Sequence, residues 1–226
     1  PSHPELLDYL ASELIESGFR LKHIHRLIMT SETYLQASKY RDDCASDDAG
    51  NQLFWRKDPM RLDAESLRDS ILIVAGQMNP TFGGPSYQNF KTHIHNSQFY
   101  EMVDLDSAEV YRRTIYRSWI RSGRSHMLDV FDCPDPSTTA PKRSVTTTPL
   151  QALTLMNNSF VIRMADRFSS RVIAEVGNAT DDQIERVYDL AFGRKPEQQE
   201  WRVAIGFVER HGLSAFCRVI FNSNEF

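Results

Sequence analysis

Side chains able to do chemistry concentrate in three places. The densest runs from Phe131 to Asn157 and holds Asp132, Asp135, Lys142, Arg143, Thr146, Thr148, Gln151 and Asn157. Two carboxylates, two cations and several hydroxyls in a Pro-bounded loop can perform acid–base work or hold a ligand. The same groups can instead satisfy one another in a polar network that pins a long loop to the helix behind it. No G-x-S-x-G elbow, P-loop or H-E-x-x-H run is present to favour an enzyme. The favoured expectation is the network, with Asp132 and Arg143 belonging to it together.

The second place is an arginine cluster. Arg113, Arg117, Arg121 and Arg124 fall at the spacing of one helical stripe, with Arg112 beside it and Tyr116 and Trp119 interleaved. Planar guanidinium forks suit carboxylate, sulfate or phosphate groups. A stripe of like charges also repels itself, so acidic neighbours such as Asp104, Asp106 and Glu109 are expected to pair with it.

The third is histidine. His23 and His25 point apart on a helix, whereas His93 and His95 share a face if they lie on a strand. A zinc ion would need one or two further ligands, for which Asp104 and Cys133 are the nearest donors in type. No metal site is assigned, with His93 and His95 the weak candidates.

These groups must be positioned by helices. Ser2 and Glu5 have capping-box spacing with Pro4 in the first turn, and Leu6, Leu7, Leu10 and Leu14 follow at helical intervals. Leu21, Ile24, Leu27 and Ile28 predict a second helix that Thr30 and Ser31 interrupt. Residues 41–51 read as an acidic solvated loop. Asp63 caps a helix with Leu67, Ile71 and Val74 inward. Residues 87–103 are irregular or form a short hairpin, and Ser107 is expected to cap a helix that carries the arginine stripe to Gly123. Residues 126–147 are mainly loop. Thr148-Pro149-Leu150-Gln151 is a strong helix start, Asn157-Asn158-Ser159 separates two helices, and Gly193 ends a further one. Pro196 and Ser214 begin the last two. The fold class is therefore mostly α: an irregular multi-helix domain with long loops, about seven to nine helices, and at most a small strand element within 86–106. The chain is expected to form one helical domain over 1–226, with a sub-division at 1–125 and 126–226 as the alternative.

Net charge is −4 over 226 residues, which lacks the basic footprint of a nucleic-acid-binding protein. No apolar run is long enough to span a bilayer. Cys44, Cys133 and Cys217 lie far apart, and reduced, buried thiols are expected.

Six stretches together carry a family resemblance. They are HPELLDYLASELIESGFRLKHIHRLIMTSETYLQAS, RLDAESLRDSILIVAGQM followed by FGGPS, YRRTIYRSW, FDCPDPSTTAPKRSVTTTPLQALTLMN, LAFGRKPEQQE and the terminal FNSNEF. In this order, from His3 to Phe226, they resemble the planctomycete family called domain of unknown function 1553. The resemblance implies the C-terminal portion of a domain within a large exported protein that often carries a cytochrome c domain upstream. It supplies no catalytic residues. Covalent haem needs a C-x-x-C-H run, which is absent, so no cofactor is expected in this chain and any haem c would sit in the upstream domain. The expected function is a non-catalytic helical module whose partners are upstream domains of the same polypeptide. The alternative is a ligand-binding or catalytic part of a system that degrades sulfated polysaccharide. It would meet an anionic glycan through the 132–157 loop and the arginine stripe. A third reading, a cytosolic regulatory module, is the one the resemblance least supports. A ligand site should leave its Asp and Arg groups lining an open pocket, whereas a structural network should turn them on each other.

Overall fold

Caps and apolar spacing account for most of the observed elements. The computed structural model describes residues 2–226 and falls into two compact units, Pro1–Arg61 and Leu62–Phe226. Among the described residues there are ten α-helices, one 3-10 turn and one two-stranded antiparallel sheet, so the fold is mostly α. None of these helices is long and apolar enough to cross a membrane.

The first unit contains α1 (Pro4–Glu16), α2 (Leu21–Met29) and α3 (Asp42–Asp47). The expected capping box does not close, because Ser2 Oγ bonds the His3 ring at 3.0 Å and no side chain caps α1. Gly18 and Phe19 both adopt left-handed backbone, φ 68° and 60°, and turn the chain into α2. His23 Nε2 then meets Glu13 Oε2 at 2.8 Å, fastening α2 to α1. Residues 42–47 are helical rather than loop, since Asp42 and Asp43 lie in the first turn where carboxylates complement the helix dipole. Asp48 follows as a knot: its carboxylate accepts the N–H groups of Gln52 and Leu53, and its carbonyl accepts Trp55 Nε1–H.

The second unit is built around α7 (Ser159–Val176). Val161, Met164, Ala165, Phe168 and Val172 recur at helical spacing and are all buried. Against α7 pack α4 (Ala64–Val74), α6 (Pro149–Asn157), α8 (Thr180–Phe192) and α10 (Leu213–Phe221), while α9 (Gln198–His211) closes on α8 and α10. Phe168 stacks on Phe221 with ring centroids 5.6 Å apart. The expected cap Asp63 accepts Ser66 N–H at 2.7 Å, and Leu67, Ile71 and Val74 are buried. Thr148 and Gln151 close their capping box, and Gly193 ends α8 in the left-handed conformation. The short α5 (His126–Val130) interrupts what reads as loop.

Strands β1 (Phe90–Ile94) and β2 (Gln98–Met102) form a hairpin in the register Phe90↔Met102 to Ile94↔Gln98, inside the 86–106 window. The stretch from Ser107 to Gly123 is not a helix. Its backbone bonds instead to residues 79–87. Asn79 N–H reaches the Tyr111 carbonyl, Tyr87 N–H that of Tyr116, and Ser118 N–H that of Tyr87, each at 2.9 Å. Only Thr114–Tyr116 makes a 3-10 turn. β-branched and aromatic residues are weak helix formers, and Thr114, Ile115, Tyr116 and Trp119 leave tertiary bonds free to decide. The division between the compact units falls after Arg61, and α4 packs on α5 and α7 within the core of the second.

Candidate functional site

Three of the expected site residues, Arg113, Asp135 and Arg143, line one open cleft of about 630 Å3 in the second unit. The first turns of α4 supply Asp63, Glu65 and Asp69, the 3-10 turn supplies Arg113 and Thr114, and the 133–143 loop supplies Cys133, Asp135 and Arg143. Trp119 and Ile115 stand at its rim, both exposed.

Its charges are turned on each other. Arg143 forks onto Glu65 with bonds of 2.7 and 2.9 Å and lies 3.8 Å from Asp63. Asp69 accepts the Thr114 N–H at 2.8 Å and hydroxyl at 2.7 Å, with Arg68 at 3.6 Å and Arg113 at 3.7 Å. Asp135 accepts the Ser137 hydroxyl and N–H, which hold its carboxyl below the usual range, and Arg124 adds at 3.5 Å. Burial pushes the Cys133 thiol up to about 12, and the Glu65 carboxylate beside it adds to that. At neutral pH this thiol is protonated and is a poor nucleophile. No histidine lines the cleft among the described residues. The arrangement can hold a ligand by its open face, but it offers neither a free base nor an activated nucleophile.

The loop network exists, with different partners from those expected. Asp132 does not bond Arg143. Its carboxylate accepts the Thr146 N–H at 2.7 Å and hydroxyl at 2.9 Å. Gln151 links onward, donating to the Val130 carbonyl at 2.9 Å and to Thr146 Oγ1 at 3.4 Å, while its Oε1 accepts Thr148 N–H. Asp132, Thr146, Thr148 and Gln151 thus tie the loop to α6, whereas Arg143 ties it to α4. Asn157 stays apart, donating to the Leu153 carbonyl within its own helix.

The arginine stripe does not form, because its helix does not. Arg113 reaches the cleft and Arg124 pairs with Asp129 at 2.9 Å. Arg121 is exposed. Arg117 is buried and stacks on Trp119 at 4.8 Å. Arg112, also buried, donates to the Thr81, Gly83 and Pro85 carbonyls and lies 4.2 Å over the Tyr116 ring. Asp104 and Asp106 pair instead with Arg163 and Arg167 on α7. His93 and His95 do not converge: His93 meets Glu101 at 2.9 Å and His95 lies in the hairpin turn. Among the described residues no group of three or more His, Cys, Asp or Glu side chains is placed to hold a metal ion. All three cysteines are free, Cys133 and Cys217 buried and Cys44 half-buried.

Glu65 and Asp69 were missed by sequence reasoning. They sit four apart on α4, two residues either side of the buried Leu67, a spacing that was the available signal.

The family model described as Protein of unknown function (DUF1553), PSD1, matches residues 1–208. The chain belongs to this family. Five of the six resembling stretches lie within the matched residues, and the terminal FNSNEF lies beyond them. Neither the curated proteins nor the solved structures contain a match to the chain. Membership in the DUF1553 family brings no catalytic residue to the cleft, so its chemistry rests on the geometry above.

Proposed function

We propose that this DUF1553 chain is a non-catalytic helical module whose first unit packs against other domains of a larger, exported, planctomycete-type polypeptide, of a kind that often carries a cytochrome c domain. The observation that supports packing is the state of α1 and α2. Neither helix has a buried residue, although both are rich in large apolar side chains. Leu7 is 56% exposed, Leu21 63% and Phe19 71%. Exposed apolar faces of this extent mark interaction surfaces. The internal pairing of every cleft carboxylate supports the non-catalytic part. Export and the cytochrome link rest on the family resemblance.

The test places Leu7→Glu and Ile28→Glu in this chain and in the polypeptide that contains it. Both side chains are exposed, so the melting temperature of the chain alone should stay nearly unchanged. Contact between this module and its neighbours should weaken, read as new protease cleavage at the junction. A large melting loss in the chain alone, or no effect in the longer polypeptide, would refute the packing role.

A second reading is favoured by the cleft itself. Exposed Trp119 and the cation of Arg113 on an open face suit an anionic glycan, as in a polysaccharide-degrading system. Titration with a sulfated oligosaccharide should then quench Trp119 fluorescence, and Arg113→Ala should abolish the change. Absence of quenching removes this reading.

A further inference from the structure

A second, smaller cavity lies in the Leu62–Phe226 unit. Its volume is about 230 Å3, and Arg68, Tyr87, Asn89, Asp104, Arg117 and His126 are among the residues that line it, the Asp104 carboxylate being held by Arg163 and Ser159. The backbone places two of these side by side. Tyr87 and Arg117 are partners in a parallel bridge, with hydrogen bonds on both sides of Tyr87, to Tyr116 and Ser118.

Arg117 is only 3% exposed, and burying a guanidinium is costly unless it is paired. Buried Arg112 and half-buried Arg68 are better supplied, although Arg112 Nε has no partner. Arg112 faces three backbone carbonyls. Arg68 donates to the carbonyls of Arg112 and Val110 and to Thr114 Oγ1, with Asp69 at 3.6 Å. Arg117 has much less. Its Nε donates to Asn89 Oδ1 at 3.1 Å, one terminal nitrogen lies 3.9 Å from the Met102 sulfur, and its plane rests on Trp119. It makes no ion pair among the described residues, since the nearby Asp129 is engaged by Arg124 and Asp104 by Arg163. Tyr87, at 7% exposure, has a buried hydroxyl with no hydrogen-bond partner in the protein. Burial raises its pKa, so at neutral pH it remains an O–H able to donate. One cavity therefore collects an unpaired guanidinium, an unused phenol donor and the edge of a second guanidinium.

From this geometry we infer that the cavity is a binding site for a small anionic group, a carboxylate, sulfate or phosphate, held by Arg117 with Tyr87 as a further donor. The size agrees. A water molecule takes about 30 Å3 of liquid, so 230 Å3 corresponds to about seven or eight waters, room for a small hydrated anion rather than an extended molecule. The inference does not rest on the packing role proposed for the first unit, and neither fails with the other.

The experiment titrates the complete chain with acetate, inorganic sulfate and inorganic phosphate at constant ionic strength, following the melting temperature. At least one anion should give a saturable rise. A response to acetate identifies carboxylate as the chemistry, and a response confined to sulfate and phosphate identifies a tetrahedral oxyanion. Arg117→Gln should weaken binding by at least about tenfold, because it removes the charge-assisted fork, and Tyr87→Phe should weaken it less. Arg113→Gln, in the cleft, should leave it unchanged. Equal responses in the native chain and Arg117→Gln, a response lost in Arg113→Gln instead, or no saturable response to any of the three would overturn the inference. If Arg117→Gln does not fold, selenate soaked into crystals of the unaltered chain decides. An anomalous peak beside the Arg117 guanidinium, or density for acetate there in an acetate soak, supports the site, and a cavity with neither overturns it.

Discussion

Asp132 shows how one residue holds a long loop. Its backbone is left-handed, φ 62°, a region that costs most L-residues about 1–2 kcal/mol but that Asp and Asn tolerate. Its carboxylate simultaneously takes two bonds from Thr146. Asp132→Ala loses both the tolerance and the bonds, and should destabilise the chain by about 2–3 kcal/mol in denaturant melts. Asp132→Asn keeps the backbone preference and part of the bonding, and should lose less than half of that. Equal losses in the two variants would contradict the role of the backbone. Arg143 and Glu65 form the loop's other tether. Arg143 is 47% exposed at its side chain, so solvent discounts the pair, and a double-mutant cycle with alanine should give a coupling of about 0.5–1 kcal/mol. Asp132 and Arg143 share no bond, so their alanine variants should be additive within about 0.5 kcal/mol. A coupling between them that exceeds the Glu65–Arg143 value would reverse this assignment. The composition of the loop displayed its polar character plainly. It did not display the partners, because Arg143 closes on a residue 78 positions away, and spacing carries no information at that range.

Elements whose ends are set locally were legible. The Thr148–Gln151 box, the Asp63 cap, Asn158 between α6 and α7, and Gly193 after α8 are all decided by groups within three residues of a helix end. The segment around Arg117 was not. Its i, i+4 arginines imitate a helix face, yet the backbone bonds to residues 79–87, and Arg117, with Arg112 from outside the stripe, turns inward. A capping arrangement also governs α9. Glu200 caps the Glu197 N–H at 2.7 Å and forks with Arg194 at 2.8 Å. The Arg194 guanidinium holds the Glu200 carboxyl at about 2, against an ordinary 4.5. The stability this provides is complete above about pH 4.5 and is lost as pH falls toward 2. Glu200→Gln should therefore unfold with a shallower dependence on pH between 4.5 and 2. An unchanged slope would mean that the pair contributes nothing to acid stability.

At the scale of the molecule the two units differ in kind. The Leu62–Phe226 unit has a contiguous apolar core around α7, while α1 and α2 in the other unit bury nothing. Isolated helices shorter than about 12–15 residues are marginal in water, and α1 and α2 have 13 and 9. Their stability must come largely from packing, and the proposed source is a neighbouring domain of the same polypeptide. Leucine spacing made the helices readable in the sequence, but the same spacing describes a face turned to a core and a face turned to a partner. Hydrogen exchange over residues 4–29 measures the difference directly. In the 226-residue chain alone these amides should exchange much faster than those of α7, and within the larger polypeptide they should become protected. Equal protection of α1–α2 and α7 in the chain alone, or no gain in the larger polypeptide, would contradict the account.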